Sequence, residues 1–251
     1  MTRRGVVWLV ALAFVAGIVV TLPASLLEAP VNAAMAPHLR LAAAGTIWRG
    51  SGTLTGARSF AVPLTWRFSP LALLRLRAAW QVAADAPALK GSFGIGAGLG
   101  TIEFRNVDID IDSAMWAALH PVADLLRPAS RIRIDSTALV VGYRGNARSD
   151  GDARVRMDNV ILANIDERAI GSYLVTAKGN DRGIDFKVAE SSGPVTLDGG
   201  GNITIAAPRE ISFAGEARVA AGTADAIRSL FANAGESTPD GRIRIDQKAR
   251  W

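Results

Sequence analysis

The chain has 251 residues, of which 49% are hydrophobic, and it carries a formal net charge of +5 and no cysteine. That apolar fraction is enough to bury the core of one large domain or of two small ones. The absence of cysteine excludes disulfides and thiol nucleophiles. The basic residues, mostly arginine, are thinly spread and not interleaved with aromatic residues, so they do not indicate a nucleic-acid partner.

The N-terminal segment, residues 6–27, contains no charged side chain and follows Arg3 and Arg4. About twenty apolar residues in a helix cross a hydrocarbon core about 30 Å thick, so we predict a transmembrane anchor within residues 1–28. The positive-inside rule keeps the arginine pair in the cytoplasm and sends the remaining chain across the membrane. The main anchor residues are Val6, Trp8, Leu9, Leu12, Phe14, Ile18 and Leu22.

A cleaved signal peptide is the alternative interpretation of this segment, because residues 31–33 provide small side chains suited to a signal peptidase. The apolar core of a signal peptide usually has about 7–15 residues, and this run is longer. We therefore expect the anchor to be retained.

A short connector rich in alanine and proline is predicted at residues 29–38, before the patterned domain begins at residue 39. Glycines within residues 45–56 stand among β-branched and aromatic residues, which indicates curved strands or a bulge. Alternation of apolar and polar residues at 63–68, and again up to residue 82, predicts two strands joined by a connection at 69–74.

Residues 89–100 contain five glycines and suggest a nucleotide-binding loop at first sight. The spacing does not fit, because Gly94 and Gly96 would need a third glycine where Leu99 stands, and no strand–helix context surrounds them. We predict a glycine-rich strand and turn instead.

Residues 101–112 alternate strongly, with a phase slip at Arg105 and Asn106 that predicts a bulge or a turn. Three aspartates, Asp108, Asp110 and Asp112, share the face opposite to the apolar residues, and clustered carboxylates are what calcium prefers. Alternate residues of a strand lie about 7 Å apart and form no calcium-binding loop, so a solvated strand face is the favoured interpretation.

Two helices are predicted outside the anchor. Residues 113–126 change to helical spacing behind a possible N-cap at Ser113, and Pro121 should kink or break that helix. Residues 223–234 form the second candidate, with an apolar face. Each helix follows a block of strands, so the domain could comprise two similar halves, 39–128 and 129–251.

Short alternating segments follow one another at intervals of roughly 8–12 residues in the C-terminal half, a cadence typical of an antiparallel all-β fold. We predict turns at Gly145–Asn146, Asp150–Gly151, Gly179–Asn180 and residues 198–201. The strands are predicted at residues 131–135, 138–143, 153–157, 173–177, 184–188, 195–197, 203–205, 211–219 and 242–245.

No catalytic or metal-binding pattern emerges from the sequence. His38 and His120 have no further ligand at a zinc-binding spacing, and no serine stands in a nucleophile elbow. Glu103 and Asp108 could be suggested as an acid pair, but nothing in the sequence places them across a cleft. The sequence therefore predicts a protein without enzymatic activity, cofactor or metal.

The ordered motifs of the chain resemble the type II secretion system protein N family. The resemblance is carried by GTIWRGSG at 45–52, PLTWRFSP at 63–70, SGPVTLDGGG at 192–201 and FAGEA at 213–217, with an apolar N-terminal segment in front. Within these motifs the family-like residues are Gly45, Trp48, Gly50, Gly52, Pro63, Trp66, Gly193, Pro194, Leu197, Gly199, Gly201 and Gly215.

The resemblance implies a bitopic protein of the inner membrane of a Gram-negative bacterium, with a curved antiparallel β domain, residues 39–251, in the periplasm. Its partners would be the bilayer and other components of the secretion system, with no nucleic acid and no small-molecule substrate. Exposed strand edges could recruit other β domains by strand addition. The chain also resembles, faintly, the AsmA-like envelope proteins, which implies the alternative of a β groove that handles lipid.

Overall fold

In the computed structural model, residues 8, 14, 17–34, 39–56, 60–112, 115, 128–142, 148–205 and 209–250 are described. Fourteen strands of these residues form one antiparallel sheet, in the order β1 to β12, then β14 and β13. Nearly every strand therefore pairs with its neighbours in the sequence. This confirms the predicted antiparallel, mainly β fold.

The strands are β1 (Leu39–Gly45), β2 (Arg49–Gly56), β3 (Ala61–Phe68), β4 (Ala78–Ala86), β5 (Leu89–Ala97), β6 (Thr101–Asp112), β7 (Pro128–Gly142), β8 (Ser149–Leu162), β9 (Asp166–Gly179), β10 (Gly183–Ser192), β11 (Val195–Thr204), β12 (Glu210–Val219), β13 (Glu236–Ser237) and β14 (Arg242–Arg250). Two α-helices, α1 (Glu28–Ala34) and α2 (Asp225–Ala234), and two 3₁₀ segments, Ala24–Leu27 and Pro70–Arg75, complete the described elements.

The helices differ in how they match the sequence. Helix α2 lies where a helix was predicted, whereas α1, apart from its first residue Glu28, occupies residues that were predicted as a connector. Met115 is helical, and the rest of the predicted helix, including His120, lies outside the described residues, as does His38.

No helix among the described residues is long and apolar enough to cross a membrane. Of the predicted anchor residues, Val6, Leu9 and Leu12 lie outside the described part of the chain. Three others, Trp8, Phe14 and Ile18, are helical and expose large apolar side chains, and Leu22 follows directly after a helical turn. The anchor thus stays a prediction.

Strand β6 confirms the predicted phase slip. The register with β5 shifts between Ser92 and Gly94, and Asn106 adopts a left-handed conformation with φ of 46°. This bulge places one extra residue on β6 and shifts the alternation of its side chains between the two faces of the sheet. Phe104 and Ile111, on either side of the bulge, therefore both lie on the apolar side. We call this side the apolar face and the opposite side, with Asp108, the outer face.

Two predicted turns are wrong, because glycine occurs there inside a strand. Asp150–Gly151 lies within β8, and residues 198–201 lie within β11, which joins two segments predicted as separate strands. Likewise, 131–135 and 138–143 belong to the single strand β7, apart from Tyr143, which lies outside the described residues. At Gly201 a Cβ would meet the carbonyl oxygen of Ser212 on β12, so close approach of backbones requires the glycine.

The other two predicted turns have different outcomes. Gly179 is the last residue of β9, and Asn180 follows it in the connection to β10, as predicted. The turn predicted at Gly145–Asn146 lies outside the described residues.

The apolar face carries three buried regions, the third of which joins Ala217 of β12 to Ile243 and Ile245 of β14. The first runs from β1 to β7 and includes Val62 and Met115, and the second packs Ile227 of α2 against Val195 and Tyr173. Because a single sheet has no second layer, helical side chains at one end must cover it. Away from that end, several apolar side chains on the same face, such as Val82 and Phe93, are only half-buried.

Candidate interaction site at the sheet edges

Two of the N-terminal family-like glycines, Gly50 and Gly52, pack against Trp66. Its indole, 8% exposed, lies across Gly50, its register partner, and Gly52. The indole Nε1 donates to the carbonyl oxygen of Thr46 at 3.1 Å. Glycine therefore makes room for an aromatic ring on the neighbouring strand. Gly45, with φ of +90°, ends β1, and Pro63 lies within β3.

Trp48 ties the N-terminal segment to the sheet. Its Nε1 donates to the carbonyl oxygen of Val19 at 2.7 Å, and its ring meets Phe68 edge-on at a centroid distance of 4.6 Å. Phe68 in turn meets Trp80 edge-on at 5.5 Å. Phe68 and Trp80 were not singled out from the sequence, although their aromatic character in alternating strands was the available signal.

The C-terminal family-like residues also pack. Phe186 and Phe213 stack with centroids 6.3 Å apart and planes 7° from parallel, and both are register partners of Gly201 between them. Gly199 pairs with Gly215 across β11 and β12. The remaining members of this motif are Gly193 and Pro194, which lie between β10 and β11, and Leu197, which packs against the second buried region.

The suggested acid pair is not brought together by the fold. Glu103, 8% exposed, forms ion pairs with Arg77 at 2.5 Å and with Arg105 at 2.7 Å. It lines a cleft of about 720 Å³ that Pro70–Arg75 also lines. Asp108 lies farther along β6 and contacts Arg133 at 2.9 Å. Each carboxylate is thus occupied by arginine. Within the described residues no group of three or more potential metal ligands occurs.

Burial raises the pKa of Tyr173 to about 12. Its hydroxyl donates to the carbonyl oxygen of Val195 at 2.9 Å within the second buried region. Hydrogen bonds from Asn180 and Asn202 lower the pKa of Asp185, which lies on the surface. Packing and surface hydrogen bonds account for both shifts.

The β1 edge of the sheet is closed by side chains of α1. Asn32 accepts the backbone N–H of Leu41 at 2.7 Å and donates to the carbonyl oxygen of Leu41 at 3.3 Å. Glu28 accepts the N–H of Ala43 at 2.7 Å. These residues thus satisfy edge groups that could otherwise pair with another strand.

The β14 edge is different. One side of β14 pairs with β12 from Arg242 to Arg250, whereas β13 covers only two residues on the other side. Backbone groups alternate along a strand, so Asp246, Lys248 and Arg250 direct theirs away from β12. Among the described residues no backbone group pairs with these three on that side, which leaves about 15 Å of open edge.

A family model described as type II secretion system (T2SS), protein N, matches residues 37–246. No curated protein and no solved structure matches significantly.

Proposed function

The chain belongs to the type II secretion system protein N family, and we propose that it is a non-enzymatic component of that system. In this role it supports the export of folded proteins from the periplasm across the outer membrane. It acts through contacts with other components, in the bacterial envelope where the system works.

The observation that carries the proposal is the asymmetry of the two sheet edges. Helix α1 closes β1, while β14 keeps a short run of backbone groups that no backbone group among the described residues pairs with. An open edge accepts an extended segment by strand addition, with backbone hydrogen bonds giving affinity and alternate side chains giving specificity. Arg250 already pairs with Glu210 of β12 at 2.7 Å, and Lys248 would favour a partner strand that carries an acidic residue.

The topology forms part of the proposal. Residues 6–27 would anchor the chain in the inner membrane, with Arg3 and Arg4 in the cytoplasm and residues 39–251 in the periplasm. The family model matches residues 37–246, which are nearly all of the part that this topology would place in the periplasm.

Replacing Lys248 by proline tests strand addition. Lys248→Pro removes an outward N–H without removing a bond to β12, so the sheet should stay folded while the edge loses a donor. Lys248→Ala is the matched control, because it removes the side chain and keeps the backbone. In cells that carry the full chain, we expect Lys248→Pro to reduce photo-crosslinks from position 246 to secretion components at least fivefold, and Lys248→Ala to change them less than twofold.

Equal crosslinking by the two variants, with both folded by circular dichroism, would refute strand addition at this edge. An ectodomain that turns over a substrate, with loss of turnover in Asp108→Asn, would refute the non-enzymatic role.

Lipid handling is the second candidate, and the half-buried apolar face favours it. Val82 and Phe93, paired across β4 and β5, are only half-buried, and so are Ile134 and Val155, paired across β7 and β8. Mass spectrometry of the purified full chain, washed with excess detergent, tests for lipid bound in stoichiometric amount. Its absence would exclude this candidate.

A further inference from the structure

The connection between β3 and β4 exposes an unusual set of large apolar side chains. Beyond residue 38 of the described chain, the exposed large hydrophobic residues are Ile211, at 36%, and five leucines. We call these leucines the leucine tip: Leu71 (75%), Leu73 (52%), Leu74 (83%), Leu76 (78%) and, in the β5–β6 turn, Leu99 (89%). Such a concentration on one end of a sheet marks a contact surface.

The fold holds the tip outward. Ser69 donates its N–H to the carbonyl oxygen of Ala79 at 2.8 Å, and the N–H of Arg77 bonds to Ala72 at 3.2 Å. Arg77 is fixed further by its ion pair with the buried Glu103. Leu76 adopts a left-handed conformation with φ of 54°, which is uncommon for leucine and is kept only when its surroundings impose it.

The leucine tip and the N-terminal apolar segment lie at the same end of the sheet. The carbonyl oxygen of Leu22 accepts the N–H of Ile47, at 3.0 Å, in the β1–β2 turn. Trp48 in that turn donates its indole N–H to the carbonyl oxygen of Val19, and its own carbonyl oxygen accepts the N–H of Phe68. Phe68 is the last residue of β3, directly before the connection that carries the tip. The segment predicted to enter the membrane therefore meets the sheet beside the tip.

The charge at this end is positive. Arg75 and Arg77 alternate with the leucines, and no acidic residue occurs in residues 69–77. Glu103, the carboxylate that lines the cleft beside these residues, is buried between Arg77 and Arg105. Exposed leucines with arginines beside them match the boundary between acyl chains and anionic headgroups, because arginine can hold its charge at the phosphate level while leucine inserts.

We propose that the leucine tip inserts into the surface of the bilayer that holds the anchor, so that the sheet contacts the membrane at two places. The partner is a lipid surface that contains anionic phospholipids. This inference rests on the proposed function, since it takes the anchor at residues 6–27 as membrane-inserted. Two contacts would fix the orientation of the sheet relative to the membrane more tightly than the anchor alone.

The absence of cysteine makes a site-specific test direct. Leu74→Cys in the full chain is labelled with an environment-sensitive nitrobenzoxadiazole dye and reconstituted in vesicles of phosphatidylethanolamine and phosphatidylglycerol. Pro87→Cys, exposed in the β4–β5 turn at the other end of β4, is the matched control. Phe14→Cys reports on the anchor. Quenching by doxyl-labelled lipid is measured at each position.

We expect lipid quenching at position 74 to exceed that at position 87 at least threefold, and to fall at least twofold when phosphatidylcholine replaces phosphatidylglycerol. Quenching at position 14 with none at position 74 would overturn the tip contact and leave the anchored function standing. Quenching at neither position would overturn both. A blue-shifted dye at position 74 that lipid does not quench would also overturn the inference, because protein would then cover the tip.

Discussion

Replacing Gly50 by alanine tests whether glycine opposite Trp66 is what lets the indole pack. A Cβ at Gly50 would lie 2.5 Å from the carbonyl oxygen of Ala44 and 2.8 Å from Cε2 of Trp66. Neither contact is possible without movement. Because one of the two atoms belongs to the backbone of β1, relaxation cannot come from the indole alone.

The expected loss in the free energy of unfolding is about 2 kcal/mol. Overpacking a buried site costs about 1–3 kcal/mol, and displacing the indole sacrifices its hydrogen bond to Thr46, about 1 kcal/mol. The reduced entropy of the unfolded chain returns about 0.4–1 kcal/mol. Steric conflict therefore outweighs the gain that alanine usually brings.

Gly96→Ala is the matched control, because it introduces the same methyl group into a neighbouring region of the sheet. At Gly96 the nearest atoms to a new Cβ are the Cβ atoms of Ala79 and Glu103, both at 3.8 Å, which is ordinary contact. This variant should be as stable as the native chain or about 0.5 kcal/mol more stable.

Both variants are compared by urea unfolding of the full chain in mild detergent, followed by far-ultraviolet circular dichroism. If Gly50→Ala unfolded within about 0.5 kcal/mol of Gly96→Ala, on the order of experimental scatter, the argument that Trp66 requires glycine would be refuted.

Three further predictions concern buried or edge groups. The pKa of Tyr173 is raised to about 12 in the fold, so the unfolded state loses the phenol proton first and native stability falls as the pH rises from about 10 to 12. Tyr173→Phe should remove about 2 kcal/mol of that fall, measured by urea unfolding at both pH values. Glu103→Gln should destabilise by about 1 kcal/mol, discounted because its two arginine partners are partly exposed, and an unchanged thermal midpoint would contradict this. The double variant Glu28→Ala and Asn32→Ala should open the β1 edge and produce dimers by light scattering, and a strictly monomeric variant would show that these caps do not protect the edge.

Local patterns predicted the fold class well. The sequence pattern predicted the alternation in β6, its phase slip at Asn106 and the helix α2. The period and phase of the apolar residues follow directly from which side chains are buried. The turns predicted at the glycines of β8 and β11 were wrong, because glycine occurs both in turns and where two strands approach closely. Only the partner strand distinguishes the two, and a sequence does not show its partner strand.

The sequence by itself determined an antiparallel, mainly β domain without disulfides, since alternation and composition act through neighbouring residues. It also carried the family motifs, whose packing around Trp66 and Gly201 follows from their size. Only the tertiary structure decided which edge stays open among the described residues, and that the leucine tip lies at the same end of the sheet as the N-terminal segment. Both depend on contacts between different elements of the fold, such as Glu28 with Ala43 and Trp48 with Val19, which local patterning does not encode.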